Sequence, residues 1–588
     1  MTQEGLSLKR KKNKKRLSKN EKRPNILFII VDEERFPTVY EHEKLKEWRK
    51  NNLKTHELLR EKGVSFLNHY IGSSACAPSR STLFTGQYPS LHGVTQTTGA
   101  AKGGFDPDVF WLDYNTVPTL GNYFRTAGYR TFWKGKWHLS DEDILIPGTH
   151  NAMPSYNTSN GIPDLEKEKI YLQANRLDPY GFSGWIGPEP HGADPRNSAS
   201  SAAEGISGRD EIYSAEVIDL IKSLEEEKAQ ANNHKPWLIV SSFVNPHDIT
   251  LFGLLSHLNQ SYNFDIDNTV PSIPPAPTSN ENLLSKPTAQ RSFRNVYQKA
   301  FQPTFDTLFY RRLYYSLHKK LDNEMFKVFM ALKNSIFYDN TIVIFTADHG
   351  SLVGAHGGLF QKWHNAYEEA LHVPLIIHSP KHFSKPKEME MLTSHLDIIP
   401  TLLGLAGINE AKIQKKLKKD HTEVHPLVGR DLSPLLKGKS TIQRENEPIY
   451  FMTDDEVSRG LNQVSITDVS YDSVVQPNHV ETVITKLKTG ENEIEETWKF
   501  SRYFDNPQFW SNPGVEDVTV SKTTQTTAIK TEPVPDEFEL YNLTKDPIEA
   551  INFSHPSHET AESKIIQQIL LDVLINQRNQ KRLYPTSG

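Results

Sequence analysis

With one cysteine in 588 residues, the chain cannot form an internal disulfide. It also lacks any run of about 18 apolar residues, which excludes a membrane-spanning helix. The apolar core of a secretory signal is missing from its first segment, so the expected location is cytoplasmic. Met1–Arg23 is polar instead and carries ten Lys/Arg against two Glu. Without aromatics or patterning, it reads as a disordered, solvated leader rather than a nucleic-acid clamp. Neither charge sign dominates: 67 Lys+Arg face 72 Asp+Glu, and the tail's +8 leaves −13 on the remaining 565 residues. An acidic body argues against a nucleic-acid partner. Hydrophobic residues, 37% of the chain, are spread along it and suffice for a real core. The length predicts one large domain plus a smaller one.

Order is expected from Asn25–Val31, a continuous apolar run that reads as a buried parallel strand ending at Asp32. Further strand-like runs are Trp237–Phe243, Thr341–Thr346 and Pro374–His378, with helix-like stretches at Ala215–Glu226 and Tyr310–Leu332 between them. This alternation predicts an α/β layered domain with ligands beyond the carboxyl ends of its strands. The residues at those ends are Asp32-Glu33, Asn245-Pro246-His247-Asp248 and Asp348-His349. Asn259–Thr304 is rich in Pro, Ser and Asn without clear periodicity, and reads as an insertion or loop over the site. After about Gly438 shorter alternating stretches follow (Val480–Lys488, Glu495–Phe504), then a helix near Glu562–Asn579 with an apolar stripe. The predicted units are thus a tail at 1–23, a catalytic domain at 24–438 and a C-terminal antiparallel sheet plus helix at 439–588.

The lone cysteine lies in Cys76-Ala-Pro-Ser-Arg80-Ser-Thr-Leu-Phe-Thr-Gly86. A solitary cysteine is commonly an inert buried residue. This one, however, is followed by Gly128-Tyr-Arg-Thr-Phe-Trp-Lys-Gly-Lys136-Trp-His138, then by Asn245-Pro-His247, Asp348-His-Gly350, Lys362 and Glu539–Pro547. In these pieces and their order the sequence resembles the formylglycine-dependent sulfatases of the alkaline-phosphatase-like superfamily, over most of residues 24–560. The resemblance implies a large mixed sheet flanked by helices, with a smaller C-terminal α+β subdomain. It also implies that a separate maturation enzyme oxidises Cys76 to formylglycine, an aldehyde held as its hydrate.

Chemistry explains such a residue set. A sulfate monoester is an anion that repels nucleophiles, so cations and hydrogen-bond donors must neutralise its oxygens. A divalent metal lowers the pKa of the attacking oxygen. An aldehyde hydrate offers one hydroxyl to attack sulfur and a second whose deprotonation ejects sulfate, an exit that a thiol lacks. By resemblance, Asp32, Asp348, His349 and the modified Cys76 hold the metal. Glu33 stands where many relatives place a second Asp. Oxygen ligands suit Ca²⁺, and the imidazole brings in Mn²⁺; Ca²⁺ is placed ahead of Mn²⁺ or Mg²⁺. Arg80 fixes the hydrate, Lys136 and His138 bind hydrate and sulfate oxygens, and His247 and Lys362 sit near the leaving oxygen, where one protonates it. Pro78 sets the turn, and Ser79 is expected to cap a helix starting there. Trp185, His191, Trp363 and the 259–304 segment are candidates for the substrate pocket. The expected activity is sulfuric ester hydrolysis of the arylsulfatase-like kind, on a sulfated small molecule or saccharide. The Asp348-His349 pair keeps open a phosphonate monoester hydrolase or phosphodiesterase using the same site, and a non-catalytic binding protein is the reading from another class.

Overall fold

The computed structural model describes residues 23–586, apart from 191–193, 231–233, 440, 443, 445, 466, 490–492, 506–516 and 522. Residues 1–22 of the basic tail and His191 therefore lie outside the described residues. Seven strands form the main sheet: β1 (Asn25–Asp32), β2 (Gly63–Tyr70), β3 (Arg130–Gly135), β4 (Trp237–Pro246), β5 (Thr341–Ala347), β6 (Leu375–His378) and β7 (Lys387–Ser394). Their spatial order is β3-β4-β1-β5-β6-β2-β7. The neighbours β3, β4, β1 and β5 run parallel, whereas β6 is antiparallel to both β5 and β2. The expected strand at Pro374–His378 is present, then, with its direction reversed.

Five helices matter for the site: α1 (Cys76–Thr85), α2 (Arg209–Gln230), α3 (Thr288–Ala300), α4 (Leu308–Lys333) and α5 (Ala561–Lys581). Alternation along the central strands explains the layers. Leu27, Ile29, Val31, Val343 and Phe345 pack with the apolar stripes of α2 and α4, including Val217, Ile221, Leu317 and Leu321. Ile26, Phe28, Ile30, Ile342 and Ile344 pack on the opposite face with Leu83 and Phe84 of α1. Both faces are covered, so these strands read as unbroken apolar runs. Every residue of β1 is buried, and Ile29→Ala would cost about 2–5 kcal/mol.

Part of the expected loop at 259–304 is α3, whose buried Ala289, Phe293, Val296 and Tyr297 form one face. The Pro-rich residues before it dilute that helical signal. A second sheet holds β8 (Ile449–Thr453), β9 (His479–Thr489), β10 (Ile494–Phe504) and β13 (Glu537–Asn542), all antiparallel in the order β13-β10-β9-β8. The short strands β11 (Val518–Val520) and β12 (Thr527–Ile529) pair separately. One face of the four-stranded sheet carries Val483, Trp498, Phe500 and Leu540 against Ile566, Leu570 and Leu574 of α5. The other sends Ile484, Tyr503 and Tyr541 into the main core. Among the described residues no helix is long and apolar enough to cross a membrane.

Candidate active site

The four parallel neighbours end at one edge of the sheet and deliver Lys136 after β3, His247 after β4, Asp32 at the end of β1 and Asp348 after β5. Gly135 lets β3 come this close: its φ is +95°, and a Cβ there would lie 1.8 Å from the Ser242 carbonyl oxygen. Asp32 and Glu33 are consecutive, so in a straight strand they would point to opposite faces. Glu33 instead adopts φ 73°, and both carboxylates serve the same site.

Cys76 opens α1, buried at 2% exposure. The Thr85-Gly86 pair of the motif closes that helix, with Gly86 in the left-handed conformation and its N–H on the Thr82 carbonyl. The expected cap fails. Ala75 occupies the N-cap without a side-chain bond, while the Ser79 hydroxyl donates to the Asp348 carbonyl oxygen and ties α1 to β5. One turn into a helix, Ser79 lies beyond reach of the orphan N–H groups that a cap serves.

Ligand atoms of Asp32, Cys76, Asp348 and His349 lie within 4.8 Å of one another. His349 Nδ1 faces the Gly350 carbonyl at 2.9 Å, so that nitrogen carries the proton and donates; Nε2 lies 3.2 Å from Cys76 Sγ. Arg80 is wholly buried. Its Nε donates to Asp348 Oδ2 at 2.7 Å, Nη1 to Ser242 Oγ at 2.9 Å and to the Lys136 carbonyl at 3.1 Å, and Nη2 lies 3.4 Å from Asp32 Oδ2. Lys136 Nζ donates to Asp32 Oδ2 at 2.6 Å. Lys362 Nζ donates to Glu33 Oε2 at 3.1 Å and lies 4.6 Å from the centre of the Trp363 ring. Glu33 shares a second group of ligand atoms with Asp32 and His247.

Burial alone would raise the Asp32 pKa, but Lys136, His247, His349 and Arg80 hold it well below the carboxylate range. Burial wins at Glu33, which is raised although Lys362 and His349 oppose this. At His349 burial is outweighed, chiefly by Asp348, and the ring is pushed up to about 9. His247 is driven far down by burial and Lys136. Burial lowers Lys362, yet Cys76, Glu33 and Asp32 leave it raised.

A cleft of about 630 Å³ opens over these groups, and Cys76, Lys136, His138, His247 and Lys362 all line it. His138, at φ 61°, has its Nε2 3.3 Å from Thr98 Oγ1. Trp363, Tyr262, Ala300, Phe301 and Gln302 form part of the wall, as expected for Trp363 and the 259–304 segment. Trp185 does not line it; that ring is buried and donates to the Gly135 carbonyl at 3.1 Å. Sequence reasoning missed Glu189 and Asp143 on the wall. Burial, reinforced by Asp143, pushes Glu189 up to about 8, and the Glu189 N–H donates to Asp143 Oδ1 at 2.8 Å. Also missed were Gln361 and Thr250, which surround the Glu33 carboxylate. None of these belongs to a motif; a loop glutamate between two prolines gives no local signal.

The sulfatase family profile matches residues 24–408. The chain belongs to the sulfatase family. Its relatives there include the uncharacterized sulfatase YidJ of Escherichia coli, 27% identical over 400 residues, which cover 67% of this chain and 69% of YidJ. Among solved structures, the phosphonate monoester hydrolase of Agrobacterium radiobacter superposes with a TM-score of 0.56 at 18% identity, covering 95% of this sulfatase-family chain and 96% of the hydrolase. A protein solved with its substrate D-glucosamine-2-N,6-O-disulfate also gives a TM-score of 0.56, at 16% identity, covering 95% and 98%. At such identities the two structures speak for the fold.

Proposed function

We propose that this chain hydrolyses a sulfate monoester at Cys76, after conversion of that residue to formylglycine by a separate maturation enzyme. The observation that carries the reading is that Cys76 meets Asp32, Asp348 and His349 on the floor of a cleft that Lys136, His138, His247 and Lys362 also line. The donor set fits a divalent ion: two buried carboxylates and an imidazole whose other nitrogen is already committed, with Glu33 as a further oxygen donor. Ca²⁺ is favoured over Mn²⁺ or Mg²⁺. Such an ion, with the formylglycine hydrate, supplies an ionisable oxygen nucleophile near neutral pH and a route for sulfate to leave.

The chain's own residues do the rest. Arg80 holds both metal-site aspartates in one orientation through a planar, permanently charged fork. Lys136 and His138 bind sulfuryl oxygens in the cleft. His247 and Lys362 bind near the leaving oxygen, and one of them gives it its proton. Asp32, Glu33 and Asp348 are matched by Arg80, Lys136 and Lys362, so the site would be positive by about two charges with a divalent ion bound. An ionised nucleophile and a monoanionic ester neutralise that excess, whereas a dianionic ester overshoots it. A phosphonate monoester or a phosphodiester carries the same single charge. With the hydrolase neighbour, this supports such substrates as the second reading. The catalytic unit is assigned to residues 24–438 and a supporting subdomain to 439–588, since the second sheet begins at Ile449. A sulfated small molecule or saccharide is the proposed substrate; the neighbour bound to a glucosamine disulfate is a case of the latter.

Mass spectrometry of the Cys76 peptide, with release assays on matched sulfate, phosphonate and phosphodiester substrates, tests both readings. The expected result is an aldehyde at residue 76 and fastest turnover of the sulfate ester. Active protein with an unaltered thiol would refute the mechanism.

A further inference from the structure

One carboxylate just beyond the second sheet lies behind the cleft wall, bonded to the lining residues Thr97 and Trp363. Asp455 follows β8, is 3% exposed and accepts three hydrogen bonds. Its Oδ2 takes the Ala75 backbone N–H at 3.1 Å and the Trp363 Nε1–H at 3.0 Å; Oδ1 takes the Thr97 N–H at 2.9 Å. Ala75 precedes Cys76, Trp363 follows Lys362, and Thr97 precedes Thr98, whose hydroxyl meets His138. Neighbouring residues tighten the same seam. Thr453 Oγ1 donates to the Ser74 carbonyl, and the Met452 N–H donates to the Gly72 carbonyl at 3.1 Å. On the other side of Asp455, Gln96 bonds both the Asp454 carbonyl and the Glu456 N–H. Asp455 lies beyond the residues that carry the family match.

We propose that Asp455 is a positioning residue for sulfate ester hydrolysis, setting the distance between the residue-76 nucleophile and the Lys362 clamp. The proposal rests on the functional reading above. A single oxygen, Oδ2, holds one residue adjacent to the nucleophile and one adjacent to the clamp, so the two cannot shift independently while both bonds persist. An ionised carboxylate is needed because all three partners are donors. An amide at position 455 would turn its NH₂ toward the Thr97 N–H in one orientation and toward the Ala75 and Trp363 N–H groups in the other, so that donor faces donor in both.

The test measures kcat and KM on sulfate esters with good (p-nitrophenyl) and poor (alkyl) leaving groups, each rate corrected for formylglycine content. Asp455→Asn is expected to lower kcat about 10²-fold, the usual effect of small misplacement at a reacting centre. KM should change less than about threefold, and the loss should be larger on the alkyl ester, because a displaced Lys362 matters most when the leaving oxygen needs help. Trp363→Phe, which removes one of the three arms and keeps an aromatic face under Lys362, should show a smaller loss with the same skew. Equal losses on both esters, or losses that follow the folded fraction by circular dichroism, would overturn the proposal. If matured wild-type protein releases no sulfate, the functional reading is what has failed. Crystal structures of wild type and Asp455→Asn then decide the positioning role: displaced Ala75–Cys76 and Lys362 uphold it, and unmoved ones overturn it.

Discussion

Two buried groups of donor atoms in this protein look alike on paper. One is Asp32, Cys76, Asp348 and His349; the other is His356, Glu369 and Glu549, again with ligand atoms within 4.8 Å of one another. The second is held by its own partners. His356 stacks on Tyr367 at 3.5 Å and lies 3.4 Å from Glu369 and from Glu281, while Glu549 faces Lys499 at 2.7 Å. The first has one face turned to a cleft, where Cys76 meets solvent space among cations. Clustering of metal-type donors is therefore common to both; what separates them is the surroundings, since the first opens on a cleft lined by Lys136, His138, His247 and Lys362 while only Glu369 of the second reaches a pocket wall. The second group fastens the loop after β5 to the segment after β13, a structural task.

Substitutions should separate the two groups, most strongly at the proposed nucleophile. Cys76→Ala is expected to abolish turnover in a sulfate-release assay, and Glu369→Gln to leave kcat within a few-fold. Glu369→Gln should instead lower stability by about 3–5 kcal/mol in chemical denaturation, since it strands a charged partner in the interior. Calcium should raise the melting temperature of wild type by the equivalent of about 2.7 kcal/mol at a hundredfold excess over Kd. Asp348→Asn should lose that response and His356→Gln keep it; the reverse would assign the ion to the second group. Glu33→Gln weakens the hold on Lys362 and is expected to cost about tenfold in kcat/KM, or about 1.4 kcal/mol.

The smallest expected effect is one of pH. Burial opposes charge on His356, but Glu369 and Glu281 push it up to about 9; burial likewise opposes ionisation of Glu369, which His356 brings down to about 2. A raised histidine stabilises fully below its unfolded pKa of about 6.5 and loses the contribution as pH rises through about 9. A depressed glutamate stabilises above about 4.5 and loses its share as pH falls through about 2. The stability gap between wild type and His356→Gln should thus be widest between about pH 4.5 and 6.5 and close toward pH 10. A gap that widens with rising pH would remove the charged pair from the account.

How much of this was legible depends on how far each contact reaches along the chain. The runs Asn25–Val31 and Thr341–Thr346 declare buried strands because both sheet faces demand apolar residues, and the acids that end them declare the site. The antiparallel direction of β6 is not written in Leu375–His378, since an apolar run has no polarity. Ser79 was misread because a hydroxyl near a helix start has two possible partners, and the Asp348 carbonyl becomes one only after the sheet assembles. Asp455 gave no signal at all: its partners lie up to 380 positions away and two of them are backbone groups, which leave no mark on residue type.

The pairing of Arg80, Lys136 and Lys362 with three buried carboxylates has a consequence for the order of assembly. Because internal cations already offset those acids, folding of the polypeptide is expected not to require the proposed ion. Loading of that ion would then be a late, reversible event, and protein purified in chelator is expected to regain competence by dialysis against calcium without being refolded.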